Sequence, residues 1–475
     1  MKTVYNARLL SLILLFCIFE GNAQTSKISY FMESAGTRSS LNPALRPTQG
    51  YVGVPILADF NLMLGTNTFN MDHFTFHKNN DFLFFMNDNV GVEEFLKNIS
   101  NANYLDINTD ISLLTAGWYA GNNFWNINLG VRGFAGANLP KDFFRLAKEG
   151  FGIEDKNIFD LSNTGVSAML FGELSLGFSR TFLDNKLSIG VRGKFLTGLG
   201  NANLKVDALT LAVGSDDWVV HSDALMQISA PGLQPEYDED GALNGFDFGE
   251  KILTSPAGYG MGWDVGVEYN LVHLSENFDG LLTNVLRRMK ISAALTDIGF
   301  IKWDKNSSTT LHARGDSNID PDNLSFSLDN DNSLADHFNE MGENLEEFVK
   351  FRPDDKQDAY ETSLRTNMNF GLEYDIWENK LSAGLLSSTT FAEYYTMTEL
   401  TLSANYSPFS WLTVSGAHSF APGLFKTFGA ALHIAPSKGL NLFIASDYLV
   451  PHVNSDFIPT TSKAVNVHWG ITIPL

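Results

Sequence analysis

The chain has 475 residues, of which 44% are hydrophobic, 12% aromatic and only 18% charged. Its 54 acidic and 32 basic residues give a net charge of −22, which excludes a nucleic-acid-binding protein because phosphate contacts require clustered Lys and Arg. The low charged fraction and the 40 glycines differ from an ordinary soluble enzyme and favour a membrane β-barrel, in which only every second residue of a strand meets lipid.

Residues 1–23 have the three parts of a secretory signal peptide: a positive start at Lys2 and Arg8, an apolar run, and the small-residue cleavage site Gly21-Asn22-Ala23. The apolar run is too short for the ~20 residues that a membrane-spanning helix needs. Cleavage also removes Cys17, the one cysteine, so we expect a mature chain that folds without disulfides. That mature chain has 30 basic and 53 acidic residues, a net charge of −23.

Residues 24–50 precede the first predicted strand and contain Asn42, Pro43 and Ala44. The Asn-Pro pair favours a turn and disfavours a helical conformation at Asn42. The Asn42 side chain also offers hydrogen-bond donors and acceptors to backbone groups inside a polar lumen. Two interpretations stay open: an ordinary turn that leads into the first strand, or part of a segment that enters the barrel.

Alternation of apolar and polar residues with a period of two recurs along residues 51–475. In 263–271, for example, Trp263, Val265 and Val267 alternate with polar residues and glycine. The segments run for about ten residues, the length that a tilted strand needs to cross a bilayer, whereas strands of a soluble sandwich are shorter. Tryptophans near strand ends are typical of an interfacial girdle; they are Trp118, Trp125, Trp263, Trp377, Trp411 and Trp469.

These segments predict an all-β fold, a transmembrane antiparallel up-and-down β-barrel of about fourteen strands in the outer membrane, with limits of twelve and sixteen. The short turns are expected on the periplasmic side and the long loops on the extracellular side. The excursion 198–260 is the uncertain part, since a hairpin at 204–213 and 218–228 would raise the count. The predicted strands are 51–63, 111–119, 124–134, 166–180, 187–197, 261–271, 290–298, 365–375, 381–390, 398–406, 411–419, 425–434, 440–449 and 464–474.

Three stretches inside the long loops have apolar residues at helical spacing. They are 92–99, 143–147 after Pro140, and 334–348. One interpretation is that these short helices pack on their own loops at the rim, because a lone apolar stripe usually marks a buried face. The other is a lid that binds a partner or lipid.

No motif in the chain predicts catalysis, a cofactor or a metal ion. His73 and His77 are four residues apart but lack a third ligand nearby, and in the acidic stretch 329–340 Leu334 occupies the position where a calcium loop needs glycine. A weak surface calcium site in that stretch stays open. Neither a Gly-x-Ser-x-Gly elbow nor a glycine-rich phosphate loop is present. A hydrolase therefore ranks last among the functions considered.

Polar side chains on the inner faces of the strands are expected to line the lumen. Charges there can tune selectivity, or they can pair with one another to fill the barrel. The predicted lining residues are Asn126, Asn128, Arg132, Glu173, Arg192, Lys194, Glu268, Glu373, His433 and His468.

The tripeptide Asn42-Pro43-Ala44 ahead of a fourteen-strand pattern resembles the FadL-like long-chain fatty-acid transporter superfamily. This resemblance implies that residues 24–50 form a hatch inside the barrel, with Asn42, Pro43 and Ala44 among its residues. It also implies uptake of a hydrophobic or small amphiphilic solute, with outer-membrane lipid around the barrel.

The stretches 30–33, 139–142, 194–202 and 295–303 resemble an uncharacterised family of outer-membrane barrels that carries a domain-of-unknown-function label. A more distant similarity is to the shuttle barrel of type IX secretion. That similarity keeps a second function open: a barrel that binds a secreted protein, as a secretion accessory or a surface scaffold.

Overall fold

The computed structural model describes residues 26–68, 71–78, 81–85, 87, 89–149, 157–213, 218–248, 255–272, 280–319, 349–354, 357–378, 380–421, 425–436, 438–449 and 464–475. The predicted signal peptide at 1–23, the acidic stretch at 329–340 and the apolar stripe at 334–348 lie outside these residues.

Strands make up most of the fold. In chain order they are β1 (Tyr51–Gly53), β2 (Asp59–Thr66), β3 (Thr75–Lys78), β4 (Asp81–Phe84), β5 (Ala102–Ala120), β6 (Asn123–Pro140), β7 (Asn157–Asp160), β8 (Gly165–Phe182), β9 (Leu187–Val213), β10 (Trp218–Ser229), β11 (Leu233–Tyr237), β12 (Leu243–Phe248), β13 (Gly258–Asn270), β14 (Met289–Trp303), β15 (Ser308–Ile319), β16 (Arg352–Pro353), β17 (Tyr360–Ser363), β18 (Thr366–Trp377), β19 (Leu381–Phe391), β20 (Thr396–Phe409), β21 (Leu412–Ala421), β22 (Phe425–Ile434), β23 (Asn441–Ser446) and β24 (Ala464–Pro474).

The strands close into a fourteen-stranded antiparallel barrel, which confirms the predicted fold and strand count. β1 and β2 share the first position in the wall, because both pair with β5 on one side and β24 on the other. β17 and β18 share another position beside β14. Around the wall the order is β1/β2, β5, β6, β8, β9, β13, β14, β17/β18, β19, β20, β21, β22, β23 and β24.

The first predicted strand, 51–63, is interrupted between β1 and β2. Ile56 has a φ of 69° in this interval, a left-handed conformation that a β-strand cannot continue through. Both halves nevertheless keep the same neighbours in the wall, so the interruption leaves the count unchanged.

The predicted hairpin within 198–260 exists, but it does not enter the barrel wall. β9 is 27 residues long, and its first half pairs with β13 inside the wall. Its second half continues beyond the wall and pairs with β10, which in turn pairs with β15. Because β10 never pairs with β13, this extension adds strands outside the barrel and the barrel count stays at fourteen.

Burial along the wall is inverted relative to a soluble protein. In β8, Leu174 and Leu176 point outward and are 47% and 51% exposed, whereas Glu173 and Ser175 point inward and are 4% and 1% exposed. Successive side chains of a strand face opposite sides, so the outer surface is apolar and the inner surface polar. This is the side-chain distribution of a barrel that is solvated by lipid on its outside.

The two ends of the barrel differ in their connections. We call the end with short turns, such as 121–122 and 183–186, the turn end, and the opposite end, where β2 finishes at Thr66 and β14 at Trp303, the loop end. β1 begins and β24 finishes at the turn end, because Tyr51 pairs with Pro474. The segment before β1 therefore meets the barrel from the turn end.

The helices are short and lie in the connections. α-Helices span α1 (Arg38–Leu41), α2 (Met71–Phe74), α3 (Val92–Leu96), α4 (Lys141–Glu149) and α5 (Leu281–Leu286), and 3-10 turns span Lys27–Phe31 and Lys305–Ser307. Within the described ranges, no helix combines the length and apolarity needed to cross a membrane.

The two predicted loop helices that fall within described residues are present as α3 and α4. Phe95 of α3 and Phe144 of α4 are buried in one apolar cluster with Phe74 and Phe85. The rings of Phe85 and Phe95 stack at 4.4 Å. Their apolar faces therefore pack on neighbouring loop elements at the loop end, as the first interpretation expected.

Candidate functional site: a plugged lumen and its cavity

Residues 26–50, which we call the plug, lie inside the barrel. The turn Lys27–Phe31 contacts strands β19 to β23 of the wall, and each residue from Ser26 to Met32 is at most 4% exposed. At the turn end, Arg46 donates to the carbonyl of Asn122, and the hydroxyl of Tyr119 donates to the carbonyl of Pro47. The plug thus runs through the lumen and leaves it where β1 begins.

The first turn of the plug is held by buried carboxylates. Both oxygens of Asp447 accept backbone hydrogen bonds at 2.8 Å, one from the N–H of Lys27 and one from that of Ile28. The Lys27 ammonium forms an ion pair with Glu399, and these side chains are only 3% and 0% exposed. The N–H of Ser26 also donates to Nδ1 of His468 at 3.3 Å. Charge-assisted hydrogen bonds of this kind are stronger than neutral ones, so we call these contacts the plug anchor.

The Asn42-Pro43-Ala44 tripeptide forms a turn pressed against the wall. Asn42 is completely buried, and its Oδ1 accepts from the N–H of Ala44 at 2.9 Å. Its Nδ2 donates to the hydroxyl of Tyr30 at 3.1 Å and to the wall carbonyl of Val267 at 3.3 Å. One side chain therefore joins the local turn, the rest of the plug and the wall.

Gly190 of β9 permits the close approach of this turn. A Cβ atom at Gly190 would overlap the carbonyl group of Pro43 and the nitrogen of Ala44. We expect Gly190→Ala to displace the plug, because the atoms in the way belong to the plug backbone, which cannot move aside as the end of a flexible side chain can. The substitution should lower the free energy of unfolding by about 1–3 kcal/mol. Limited proteolysis of the plug checks this result. Gly416→Ala is the matched control, since a Cβ there meets nothing within 4 Å; equal cleavage in both variants would contradict the prediction.

A cavity of about 130 Å³ lies between the plug and the wall. Plug residues such as Ala35, Ser39 and Leu41 form one side, and inward-facing residues of the wall form the other. Polar and charged residues are the majority of the lining, and apolar side chains such as Leu41, Phe134, Phe171 and Phe443 complete it. An apolar cavity of similar size stays dry, whereas a polar one holds water or a polar ligand. We call this space the central cavity.

Six strands contribute charged side chains to one network beside the central cavity. Asp297 of β14 accepts from Arg132 and from Lys194, both at 2.6 Å. Lys194 also contacts Asp264 at 2.8 Å, and Arg132 contacts Glu173 at 2.9 Å. At the periphery, Arg192 approaches Asp264 at 3.6 Å, and Asp110 approaches Arg132 at 3.5 Å. These pairs offset the cost of placing charges inside the barrel.

Asp297 reaches this network through an irregularity in β14. Its φ is 59°, and the pairing of β13 with β14 skips a residue between Trp263 and Val265. The backbone N–H of Asp297 donates to Oδ1 of Asp264 at 2.7 Å, which satisfies a group that the interrupted ladder leaves free. At the same height, β14 changes partner from β18 to β17. A β-bulge of this kind redirects a side chain, here toward two cations.

Acidic groups outnumber basic groups around the central cavity once the carboxylates behind the lining that pair with its cations are included. The lining includes five cationic side chains: Lys27, Arg132, Arg192, Lys194 and Arg365. The carboxylates in the lining or paired with these cations number seven: Asp59, Asp106, Asp110, Glu173, Asp264, Asp297 and Glu399. With neutral histidines the site carries a net charge of −2. The field inside the cavity therefore favours a cation over an anion.

The structure puts all ten predicted lumen residues on the inner side, in two groups. Asn126, Asn128, Arg132, Glu173, Arg192, Lys194 and His433 line the central cavity. The other three lie behind the lining or beside the plug. Glu268 lies 3.9 Å from Arg38, Glu373 lies 3.6 Å from Lys290, and His468 contacts Asp59, a lining residue, at 2.6 Å.

Sequence reasoning missed several groups of the site. Asp264 sits on the polar face of a predicted strand, so the alternation alone could have identified it. Asp297 and Arg365 carry no such signal, because the first lies at the bulge and the second lies between β17 and β18. Lys27 and Asp447 become partners only when chain segments 420 residues apart meet.

The histidines considered as a metal pair show no metal site in the described part of the chain. Nδ1 of His73 lies 2.7 Å from the carbonyl oxygen of Thr68, and the side chain of His77 lies outside the described atoms. Among described residues, no group of three or more His, Cys, Asp or Glu side chains is arranged to hold a metal ion.

Comparison with solved structures returns membrane transport proteins at low identity. The chain is similar to the toluene transporter TodX of Pseudomonas putida, with 9% identity over 95% of this chain and 93% of that chain and a TM-score of 0.35. It is also similar to a FadL homologue of Pseudomonas aeruginosa, with 7% identity over 96% and 98% of the two chains and a TM-score of 0.42.

No curated protein sequence matches the chain. The model of one protein family does match, over residues 43–447, which begin at Pro43 and include every strand of the barrel except β24. The chain therefore belongs to DUF5723, a family of unknown function.

Proposed function

We propose that this protein is an outer-membrane barrel that passes a small amphiphilic solute through its lumen, with the plug as the barrier. The observation that carries the proposal is the central cavity of about 130 Å³ between the plug and the charged wall. Protein interiors normally pack without large voids, so a barrel that serves only as a scaffold is expected to have a filled interior. A cavity inside the barrel therefore favours a protein that binds or passes a solute. The apolar outer surface supports a membrane location, with the loop end outside the cell and the turn end in the periplasm.

The lining of the central cavity favours a solute with a polar, positively charged group. A wholly apolar solute would displace water from Asp110, Arg132 and Asn128 without replacing its hydrogen bonds, which is costly. Asp110 is the most weakly compensated carboxylate of the network, since its contact with Arg132 is the longest that Arg132 makes, at 3.5 Å. A small ammonium compound with a short apolar tail fits both this charge and the aromatic side chains nearby.

The plug must move before a solute can leave at the turn end. Its contacts there and at the plug anchor are mostly polar hydrogen bonds and ion pairs. Water can replace each of these partners, whereas it cannot replace apolar packing at low cost. Displacement of the plug also separates Ile28 and Met32 from their apolar cluster with Phe443 of the wall, so the polar contacts are the part that water can replace. The wall, with its own backbone ladders, stays intact.

Uptake by proteoliposomes tests the proposal. The purified full chain is reconstituted, and entry of butylammonium, butanoate and uncharged butanol derivatives of equal size is compared with entry into protein-free vesicles. We expect butylammonium to enter faster than butanoate by about tenfold. This factor corresponds to a difference of about 1.4 kcal/mol between the binding free energies of the cation and the anion in the cavity. Asp110→Asn should reduce this preference, whereas Glu239→Gln, a change at an exposed loop residue, should leave it intact.

The proposal fails if no solute enters faster than into protein-free vesicles, either with the natural chain or with a variant whose plug is released. Equal uptake of the ammonium and the carboxylate would leave passage standing but remove the proposed charge preference.

A second candidate function, binding of a secreted protein at the surface, is favoured by the extension of β9, β10 and β15 beyond the wall. This extension has its own apolar core, in which Phe159, Trp218 and Val220 are each at most 3% exposed. A folded unit outside the barrel is not needed for passage of a small solute. Isolation of the full chain from native membranes, followed by mass spectrometry, tests this candidate: it predicts a secreted protein in stoichiometric amount, and its absence counts against binding.

A further inference from the structure

The turn between β19 and β20 reaches across the loop end of the barrel. This turn, Ala392 to Tyr395, which we call the strap, contacts β8 and β9. In the wall, β19 and β20 occupy the ninth and tenth positions, whereas β8 and β9 occupy the fourth and fifth. Strands so far apart around a closed barrel can meet only across its mouth.

Glu393 and Tyr394 make the crossing contacts. Oε1 of Glu393 accepts from Nδ2 of Asn203 at 2.6 Å, and its Oε2 accepts from Oγ of Ser167 at 3.4 Å. The Tyr394 hydroxyl donates to the carbonyl of Leu204 at 2.9 Å and also contacts Oδ1 of Asn203. The Tyr394 ring lies directly over Gly165, where a Cβ atom would come within 2.7 Å of the ring.

A second crossing layer lies with the strap and reaches the central cavity. The guanidinium of Arg365, which lines the cavity, pairs with Asp106 of β5 across the lumen. Its central carbon lies 4.0 Å from the ring centroid of Phe134 and 5.9 Å from that of Tyr395. The Tyr395 ring in turn lies 5.5 Å from that of Tyr104. Arg365 and the strap therefore form a roof over the cavity, opposite the plug.

The crossing contacts of the strap are made by side chains. Its own backbone is closed by a hydrogen bond from the N–H of Ala392 to the carbonyl of Tyr395 at 3.0 Å, and the ladder between β19 and β20 finishes at the pair Phe391 and Thr396. The strap can consequently leave β8 and β9 without breaking any pair of the barrel ladder. Tight turns that are attached only by exchangeable side-chain contacts belong to the low-stability part of a fold.

We infer that the strap is the loop-end gate of the central cavity, opening and closing on the hinge where β19 ends and β20 begins. Glu393 and Tyr394 latch it to Asn203 and Leu204, and Arg365 closes the space below. The inference rests on the proposed function for its purpose, since a gate matters only if a solute passes. Its test does not require passage.

A disulfide can lock the strap, because the predicted mature chain has no cysteine of its own. A Cβ built on Gly165 lies 2.9 Å from Cγ of Tyr394. The Cβ atoms of Gly165→Cys and Tyr394→Cys are thus no more than about 4.4 Å apart, within the range of a disulfide. Asn128→Cys, on the wall of the cavity, serves as the reporter and is labelled with a membrane-impermeant maleimide added at the loop end.

We expect the reporter to react at least tenfold more slowly with the strap locked by the oxidised pair than with the strap released by Glu393→Ala and Tyr394→Phe. Tyr406→Phe, at an exposed position on the outer wall, is the control for loss of a tyrosine hydroxyl, and Glu239→Cys is the control for labelling at the loop end. Heat-dependent migration on gels shows that each variant is folded.

Equal labelling of the reporter in locked and released proteins overturns the gate, and so does a folded double-cysteine variant that forms no disulfide on oxidation. The two proposals separate cleanly. If labelling follows the strap but no solute enters proteoliposomes, the gate stands and the proposed function fails. If solute enters at the natural rate with the strap locked, passage stands and the gate fails.

Discussion

Replacement of Asp297 by Asn will destabilise the barrel by about 3–5 kcal/mol, the cost of removing one partner from a buried ion pair. Asp297 is the shared anion of Arg132 and Lys194, which approach it at 2.6 Å each. Lys194 is 3% exposed in its side chain, so water cannot take over the lost charge. Asn keeps the shape of the side chain and tolerates the positive φ of 59°, so the change isolates the charge from the backbone bulge.

Unfolding in urea in the presence of lipid vesicles, followed by tryptophan fluorescence, measures this loss. The double variant Asp297→Asn/Lys194→Met should recover part of the stability, because it restores the balance of charge in the network that the loss of Asp297 disturbs. Glu239→Gln is the control for loss of an exposed carboxylate and should change the free energy of unfolding by less than about 0.5 kcal/mol. If Asp297→Asn is as mild as this control, the network does not stabilise the barrel.

The wall was predictable because one physical rule acts on every residue of it. A strand between lipid and a polar lumen must alternate, so 263–271 and 464–474 could be placed from their apolar faces alone. The same rule also predicted the 204–213 hairpin, since Leu209 and Leu211 alternate just as well beyond the wall. Alternation cannot distinguish a strand facing lipid from one facing a loop core. Only the pairing of β10 with β15 separates the two cases.

The site was predictable in its residue types but not in its connections. Asn126, Arg132 and Lys194 follow from the inner face of regular strands. Asp297 does not, because the bulge shifts the phase of alternation at that residue. The position of the plug inside the barrel also could not be predicted from neighbouring residues in the sequence, since contacting residues such as Ser26 and His468 are 442 positions apart. Contacts at such separation depend on the closed barrel, which the sequence describes only strand by strand.

Release of the plug anchor will open the lumen more than any change in the cavity. Asp447→Ala removes both acceptors of the backbone N–H groups of Lys27 and Ile28, each at 2.8 Å. Hydrogen bonds to a charged group contribute about 1.5–3 kcal/mol each, so the loss of two should raise the fraction of molecules with a detached first turn by on the order of 10²-fold or more. We expect the rate of solute entry into proteoliposomes to rise accordingly.

Asp240→Ala, which removes an exposed aspartate from a loop, is the matched control and should leave entry at the natural rate. Glu399→Gln tests the other half of the anchor: it keeps a hydrogen-bond acceptor for Lys27 but removes the charge, so its effect should lie between those of the two aspartate variants. A variant lacking residues 26–41 sets the upper limit. If Asp447→Ala passes no more solute than Asp240→Ala while the deletion variant does, the anchor is not what holds the plug, and the contacts of Asn42 with Tyr30 and Val267 must carry that role instead.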